Sequence, residues 1–433
     1  MESIKVGLLG LGVVGGGTWN VLRRNGEEIA RRAGRQIEVV RVAVRDVAKA
    51  RARVGEDVVI GDDPFAVVRD PQIDIVVELI GGVTLARELV LEAIAHGKHV
   101  VTANKALLAT HGTEIFEAAS NKGVMVAFEA AVAGGIPIIK AIREGLTANR
   151  IEWVAGIING TTNYILSEMR SNKLTFAQAL QQAQQLGYAE ADPSSDILGI
   201  DAAHKLTLLA SMAFGIPVQF SKAYVEGITE LSDEDIETAQ HLGYRIKLLG
   251  ITRRRADGIE LRVHPTLVPA QSMLANVEDA MNAVLVSGDA VGQTLYYGKG
   301  AGEEPTASAV VADLVDVTRL HTADPEQRVP HLAFQPDAMV DIPILSIDDV
   351  VSSYYLRMMV DDVPGVLADI ARELANAGIS IGSMIQQPSE QDHAKLVFLT
   401  HAALEKSVNR AISTIESMPF MRSRVTRLRV EEF

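Results

Sequence analysis

The sequence predicts an α/β protein in three parts: a parallel-sheet unit, an α+β unit and a small ferredoxin-like unit. Three observations carry this. Residues 5–128 alternate short β-branched runs with amphipathic stretches, the mark of βαβ units. The first run ends in the glycine-rich turn Gly10-Leu11-Gly12-Val13-Val14-Gly15. After a proline-rich stretch, residues 353–433 repeat the order βαββαβ.

In order, strands are expected over residues 5–9, 37–44, 73–79, 99–102 and 124–128. Helices are expected over 18–33, 85–96 and 112–121. The pattern then turns mainly helical, with helices over 136–144, 164–169, 176–186 and 200–214. Strands follow near 244–251 and 259–268, and a helix over 309–321 that could return to the first unit. Pro325, Pro330, Pro336 and Pro343 mark a linker. Beyond it, strands over 354–360, 380–387 and 394–400 and helices over 365–377 and 403–416 form the last unit. The expected divisions are 1–134, 135–321, a linker at 322–352, and 353–433.

Composition narrows the function classes. The 433 residues are 48% hydrophobic and 22% charged, an ordinary globular balance. A formal net charge of -14 disfavours nucleic acid as a partner. There is no cysteine, which excludes disulfides, thiolate metal sites and cysteine nucleophiles and makes the cytoplasm the default compartment. The apolar run at residues 6–14 is too rich in glycine for a signal-peptide core. No apolar run reaches the roughly 18 residues of a membrane span.

The turn at Gly10, Gly12 and Gly15 is the dinucleotide-binding pattern in its strand–turn–helix context, and Val13 and Val14 within it count among the expected cofactor-binding residues. Its free N–H groups suit a pyrophosphate. At the end of the second strand stand Arg45 and Asp46. Arginine there suits a 2′-phosphate and a carboxylate suits a ribose 2′-OH, so NADP(H) is favoured and NAD(H) permitted, with a solvated charge pair as the plain alternative.

Three segments carry candidate chemistry. Thr102-Ala103-Asn104-Lys105 follows a strand, where α/β sheets place ligands; by charge alone Lys105 reads as a surface lysine. Gly187-Tyr188-Ala189-Glu190-Ala191-Asp192-Pro193, then Asp196, Asp201 and Lys205, packs carboxylates together. Such a run is usually a solvated loop. Here it enters an apolar helix on which Asp201 and Lys205 share a face, so Lys205 is a plausible proton donor. Small residues around Glu129, with Gly134 and Gly135, could present carbonyls to a hard cation or simply join two domains.

Together these segments resemble the homoserine dehydrogenase family over the whole chain. They are joined by Glu78-Leu79-Ile80-Gly81-Gly82 and Gly156-Ile157-Ile158-Asn159-Gly160-Thr161-Thr162-Asn163. The resemblance implies a Rossmann-like NAD(P)-binding domain and an oxidoreductase that interconverts L-homoserine and L-aspartate 4-semialdehyde. It implies Lys205 as the catalytic lysine and Lys105 as the lysine near nicotinamide and substrate. Gly187, Glu190, Asp196 and Asp201 match substrate positions, and Gly302 a cofactor-proximal glycine. Glu129, Val132, Gly134 and Ile136 match a monovalent-cation loop, usually sodium. The segment Asp361-Asp362-Val363-Pro364-Gly365 resembles an ACT module, which implies a homodimer or homotetramer and L-threonine as effector, or a purely structural dimerisation unit. An aspartate-semialdehyde-type dehydrogenase is disfavoured by the missing cysteine, and a non-catalytic sensor by the intact lysines. Nearby carboxylates should raise the pKa of Lys205 and burial should lower it; the sequence leaves the sign open.

Overall fold

Short β-branched runs buried on both faces build the centre of the first sheet. The computed structural model describes residues 2–388 and 392–433. The first unit runs β1 (Ile4–Leu9), α1 (Val13–Arg24), α2 (Gly26–Ala33), β2 (Ile37–Ala43), α3 (Val47–Val54), β3 (Val59–Gly61), α4 (Pro64–Val68), β4 (Ile75–Glu78), α5 (Thr84–Ala95), β5 (His99–Thr102), α6 (Lys105–Lys122) and β6 (Val126–Ala127). The strands are parallel in the order β3-β2-β1-β4-β5-β6. The order reverses between β1 and β4, which opens a crevice beyond their carboxyl ends. The one helix expected over residues 18–33 is two. The chain breaks at Asn25 and restarts at Gly26, a poor helix former, with Glu27 and Glu28 favouring a new N-terminus.

The second unit contains α7 (Ile138–Lys140), β7 (Ile151–Ile157), α8 (Gly160–Ser171), α9 (Phe176–Gln185), α10 (Ser194–Ile197), α11 (Ile200–Phe214), β8 (Tyr224–Val225), α12 (Asp233–His241), β9 (Tyr244–Arg254), β10 (Ile259–Pro269), β11 (Met281–Gly288), β12 (Gly292–Lys299) and α13 (Glu303–Leu320). The regular helix expected over 136–144 widens into a π-turn at Ala141–Gly145. Helix α13 packs on α1, where Arg24 reaches Glu304, and Arg53 of α3 reaches Glu303, each at 2.6 Å.

The last unit is β13 (Val351–Asp361), α14 (Val366–Asn376), β14 (Ile381–Pro388), β15 (His393–Thr400), β16 (Ala403–Leu404), α15 (Glu405–Glu416) and β17 (Thr426–Val430). Its strand order β17-β13-β15-β14 is ferredoxin-like, with an apolar core under α14 and α15. It does not stand apart from the second unit. Strand β17 also pairs in parallel with β10, through Thr266 with Arg429 and Leu267 with Val430, so the two sheets run on as one. Its other face is covered by α12, where buried Asp235 accepts from Arg357 Nε at 2.6 Å and Tyr355 Oη at 3.2 Å. The expected linker is irregular yet packed. Ile259 N–H donates to Pro343 O at 2.9 Å, Val340 N–H donates to Gly215 O at 2.8 Å, and Leu332 is buried.

Candidate active site

The glycine turn sits at the switch point. Gly10 has φ +94°, which a side chain would resist, and a Cβ on Gly15 would lie 2.2 Å from Gly10 O. A Cβ on Gly12 would meet no atom within 4 Å, so the backbone there is open to a ligand. A groove of ≈ 610 Å³ leads away from it, lined by Gly10, Gly12, Arg45, Lys49, Arg53 and Gly81, among others. Val13 is exposed and Val14 is half-buried. Asp46 does not face a ribose position freely: its Oδ1 accepts from Lys49 N–H at 2.9 Å and caps α3. Lys49 and Arg53 were not singled out in the sequence, although Arg45, Lys49 and Arg53 recur at a spacing of four. Thr102 is fully buried with its hydroxyl donating to Glu78 Oε2 at 2.6 Å, so its side chain turns away from the groove. Gly302, with φ +124°, caps α13.

Two lysines a hundred residues apart converge on one carboxylate. Asp201 Oδ2 accepts from Lys205 Nζ at 2.7 Å and from Asn159 Nδ2 at 2.8 Å. Its Oδ1 lies 3.1 Å from Lys105 Nζ. Lys205 also donates to Ile158 O at 2.8 Å. Helix α11 supplies Asp201 and Lys205 from one face, as i and i+4. The N-terminus of α6, capped by Asn104, supplies Lys105.

The lysines differ electrostatically. Burial is the largest influence on Lys205 and, helped by the like charge of Lys105, holds its pKa below the ordinary lysine value against the pull of Asp201. Lys105 is raised, chiefly by Asp201, and Asp196 and Glu190 add to this. Burial opposes ionisation of Asp201, but the two lysines and Asn159 outweigh it and hold the carboxyl well below the usual range. Asp196, raised by burial and by Asp201, accepts from Asn159 Nδ2 at 2.7 Å. Asn159 therefore bridges both aspartates. Its sequence signal was an Asn-Gly turn opening a helix, which caps α8 through its other amide atom. Gly187 (φ +76°) and Glu190 lie on the exposed loop before this cluster, tied down by Thr161 Oγ1 donating to Tyr188 O at 2.7 Å.

The Glu129–Ile136 loop is buried at the junction of the first two units. Both Glu129 oxygens are already taken, by Ile139 N–H at 2.9 Å and Lys140 N–H at 2.8 Å, so its carboxylate caps α7 instead of pointing into the loop. Burial raises its pKa to about 7. Ala133 and Gly134 both take positive φ. Among the described residues, no hydrogen bond reaches the Val132 or Gly134 carbonyl, while Ile136 O accepts from Ile138 N–H at 2.8 Å. No group of three or more His, Cys, Asp or Glu side chains placed to hold a metal ion occurs among the described residues.

Family comparisons agree along the chain. Residues 10–129 match the homoserine dehydrogenase NAD-binding domain, 137–315 the homoserine dehydrogenase domain and 354–420 the ACT domain. The homoserine dehydrogenase of Pseudomonas aeruginosa is 60% identical, covering 100% of both chains. The chain belongs to the homoserine dehydrogenase family. The enzyme of Neisseria gonorrhoeae is 54% identical over 100% of this chain and 99% of its own. A crystal structure of the enzyme from Thiobacillus denitrificans is 65% identical and superposes with a TM-score of 0.96, covering 100% of this chain and 99% of that one. Membership makes the protein an NAD(P)-dependent oxidoreductase of a CH–OH group, interconverting L-homoserine and L-aspartate 4-semialdehyde. No helix among the described residues is long and apolar enough to cross a membrane.

Proposed function

We propose that Lys205 moves the substrate proton in this homoserine dehydrogenase, while Lys105 stays charged and orients the reacting oxygen. The supporting observation is the single Asp201 carboxylate between two lysines whose pKa values are pushed in opposite directions. Such divergence separates a proton-transfer group from a fixed charge. When bound, the nicotinamide accepts or donates the hydride. In the oxidising direction the neutral Lys205 amine takes the hydroxyl proton; in the reducing direction its ammonium returns it. Glu190, with Asp196, supplies negative charge for the substrate ammonium, and Gly187 permits the backbone turn that presents them. Gly10, Gly12 and Gly15 hold the pyrophosphate, and Gly302 approaches the cofactor from α13.

Arg45, backed by Lys49 and Arg53, favours NADP(H) over NAD(H). Sodium is held by the Val132 and Gly134 carbonyls, with Ile136 and the Glu129 backbone beside them. The groove of ≈ 460 Å³ lined by Asp362, Val363, Gly365 and Gln386 takes L-threonine in a homodimer or homotetramer. One assay tests all of this: homoserine-dependent reduction of NADP and NAD, with sodium titrated into cation-depleted enzyme and threonine at millimolar levels. Faster NADP reduction, activation by sodium and inhibition by threonine are expected. A flat response in an arm removes that element alone.

For Arg45→Ala, NADP binding should weaken more than NAD binding, since a lost charge-assisted contact to phosphate costs about 1.5–3 kcal/mol. Equal loss for both cofactors, measured by fluorescence titration, rules out 2′-phosphate reading by Arg45.

A further inference from the structure

Glu78 stands at the carboxyl end of β4, level with Leu9 of β1 and Thr102 of β5, on the edge of the cofactor crevice. Its neighbours Ile75, Val76 and Val77 are apolar, and the site is fully buried. A carboxyl group there is costly unless it is fully hydrogen-bonded. Its partners come from the loop after β4 and from the end of β5. Oε1 accepts the N–H groups of Ile80 at 3.0 Å and Gly81 at 3.1 Å. Oε2 accepts the Thr102 hydroxyl, which itself accepts from Asn104 N–H at 3.0 Å. Asn104 closes the ring by donating from Nδ2 to Gly82 O at 2.7 Å.

The two segments so joined bear on the chemistry from different sides. Ile80 and Gly81 wall the groove. Gly81 and Gly82 both have φ +71°, yet a Cβ on either would meet no atom within 4 Å, so conformation and not space calls for glycine. Asn104 caps α6, whose first residue is Lys105. Burial raises the Glu78 pKa, with Thr102, Gly81 and Ile80 pulling the other way.

We infer that Glu78 is a positioning residue for hydride transfer: it locks the groove wall at Ile80–Gly82 to the strand end that launches Lys105. An apolar residue at the end of β4 would bury as well but could not hold two segments in register. The inference rests on the groove and Lys105 assignments above. A Lys205→Met enzyme of undiminished rate would sink the proton-transfer assignment and leave the Glu78 kinetics standing, so the two failures read differently.

The test is steady-state kinetics of the full chain carrying Glu78→Gln, Thr102→Val and both. Glutamine keeps the size and one acceptor oxygen but offers the Thr102 hydroxyl a donor. Misplacement by about an ångström costs up to about 10²-fold. We expect kcat to fall about tenfold or more and the cofactor KM to rise, with the folded state retained in thermal melting. Because both single variants cut the same link, the double should be no slower than the slower single. Glu78→Gln with kcat and cofactor KM within about twofold of wild type overturns the role, as do fully additive losses. Should Glu78→Gln fail to fold, Thr102→Val decides alone, and wild-type kinetics for it overturn the inference.

Discussion

Lys205→Met should lose about 10² to 10⁴ in kcat while binding its NAD(P) cofactor as tightly as wild type, because a positioned acid–base group contributes on that order. Methionine keeps the unbranched apolar stem of a side chain that is buried in α11. Asp201 keeps Lys105 at 3.1 Å and Asn159 at 2.8 Å, so the cluster does not collapse. The cofactor groove lies on another element and is untouched. The pH profile checks the assignment independently. Because burial depresses the Lys205 pKa, homoserine oxidation should rise with pH as the amine deprotonates through that lowered value. Lys105 contributes to the depression, so Lys105→Met should move the rising limb to higher pH. A shift to lower pH, or near-native turnover in Lys205→Met, would make Lys205 a structural ion-pair partner only.

Legibility in the sequence followed locality. The glycine turn was readable because strand, turn and helix start are contiguous and each glycine has a local reason. The helix Ile200–Phe214 was readable because Asp201 and Lys205 enter an apolar stretch that ends at Gly215 in a left-handed cap. Strand β7 was missed: its interior run is buried on both faces and carries no alternation. The β11–β12 hairpin was missed as well. The convergence of Lys105 on Asp201 depends on how α6 meets α11, which no local pattern encodes. The sign of the Lys205 shift depends on burial, and burial is a tertiary quantity. The resemblance placed Glu129 in the cation loop; that the amides of Ile139 and Lys140 occupy both its carboxylate oxygens is a feature of the folded chain that no local pattern encodes. The prolines at 325–343 did forecast irregular backbone. They could not reveal that β17 has two partners, since pairing register between distant strands leaves no trace in composition.

That double pairing predicts the largest stability effect, at Arg262. This arginine sits on β10 with only 1% of its side chain exposed, between Glu260 at 2.9 Å and Glu431, just past β17, at 2.6 Å. It also donates from Nη1 to His264 Nε2 at 2.7 Å, which fixes that buried imidazole as neutral. Ser352 Oγ donates to Glu431 from the start of β13 at 3.0 Å, so one carboxylate ties both sheets together. Arg262→Met keeps most of the buried volume and removes the shared cation. Breaking a buried pair from one side costs about 3–5 kcal/mol, because a charge is left unpaired. Arg255 still serves Glu260 and Arg253 still serves Glu431 at 3.3 Å, which points to the lower end, about 3 kcal/mol. The pH dependence has a definite sign. In the wild type burial works against Glu431, yet Arg262 and Arg253 outweigh it and hold the carboxyl below its ordinary value of 4.5. Its stabilisation is therefore full above that value and is lost as pH falls through the lower folded pKa. Without Arg262 burial should dominate and raise the pKa, so the same group then destabilises as pH rises. The stability gap between wild type and variant, measured by denaturant unfolding, should be widest near neutrality and narrow in acid. A gap independent of pH, or below about 1 kcal/mol at neutrality, would mean that the strand pairing between β10 and β17 holds the units together without this charge.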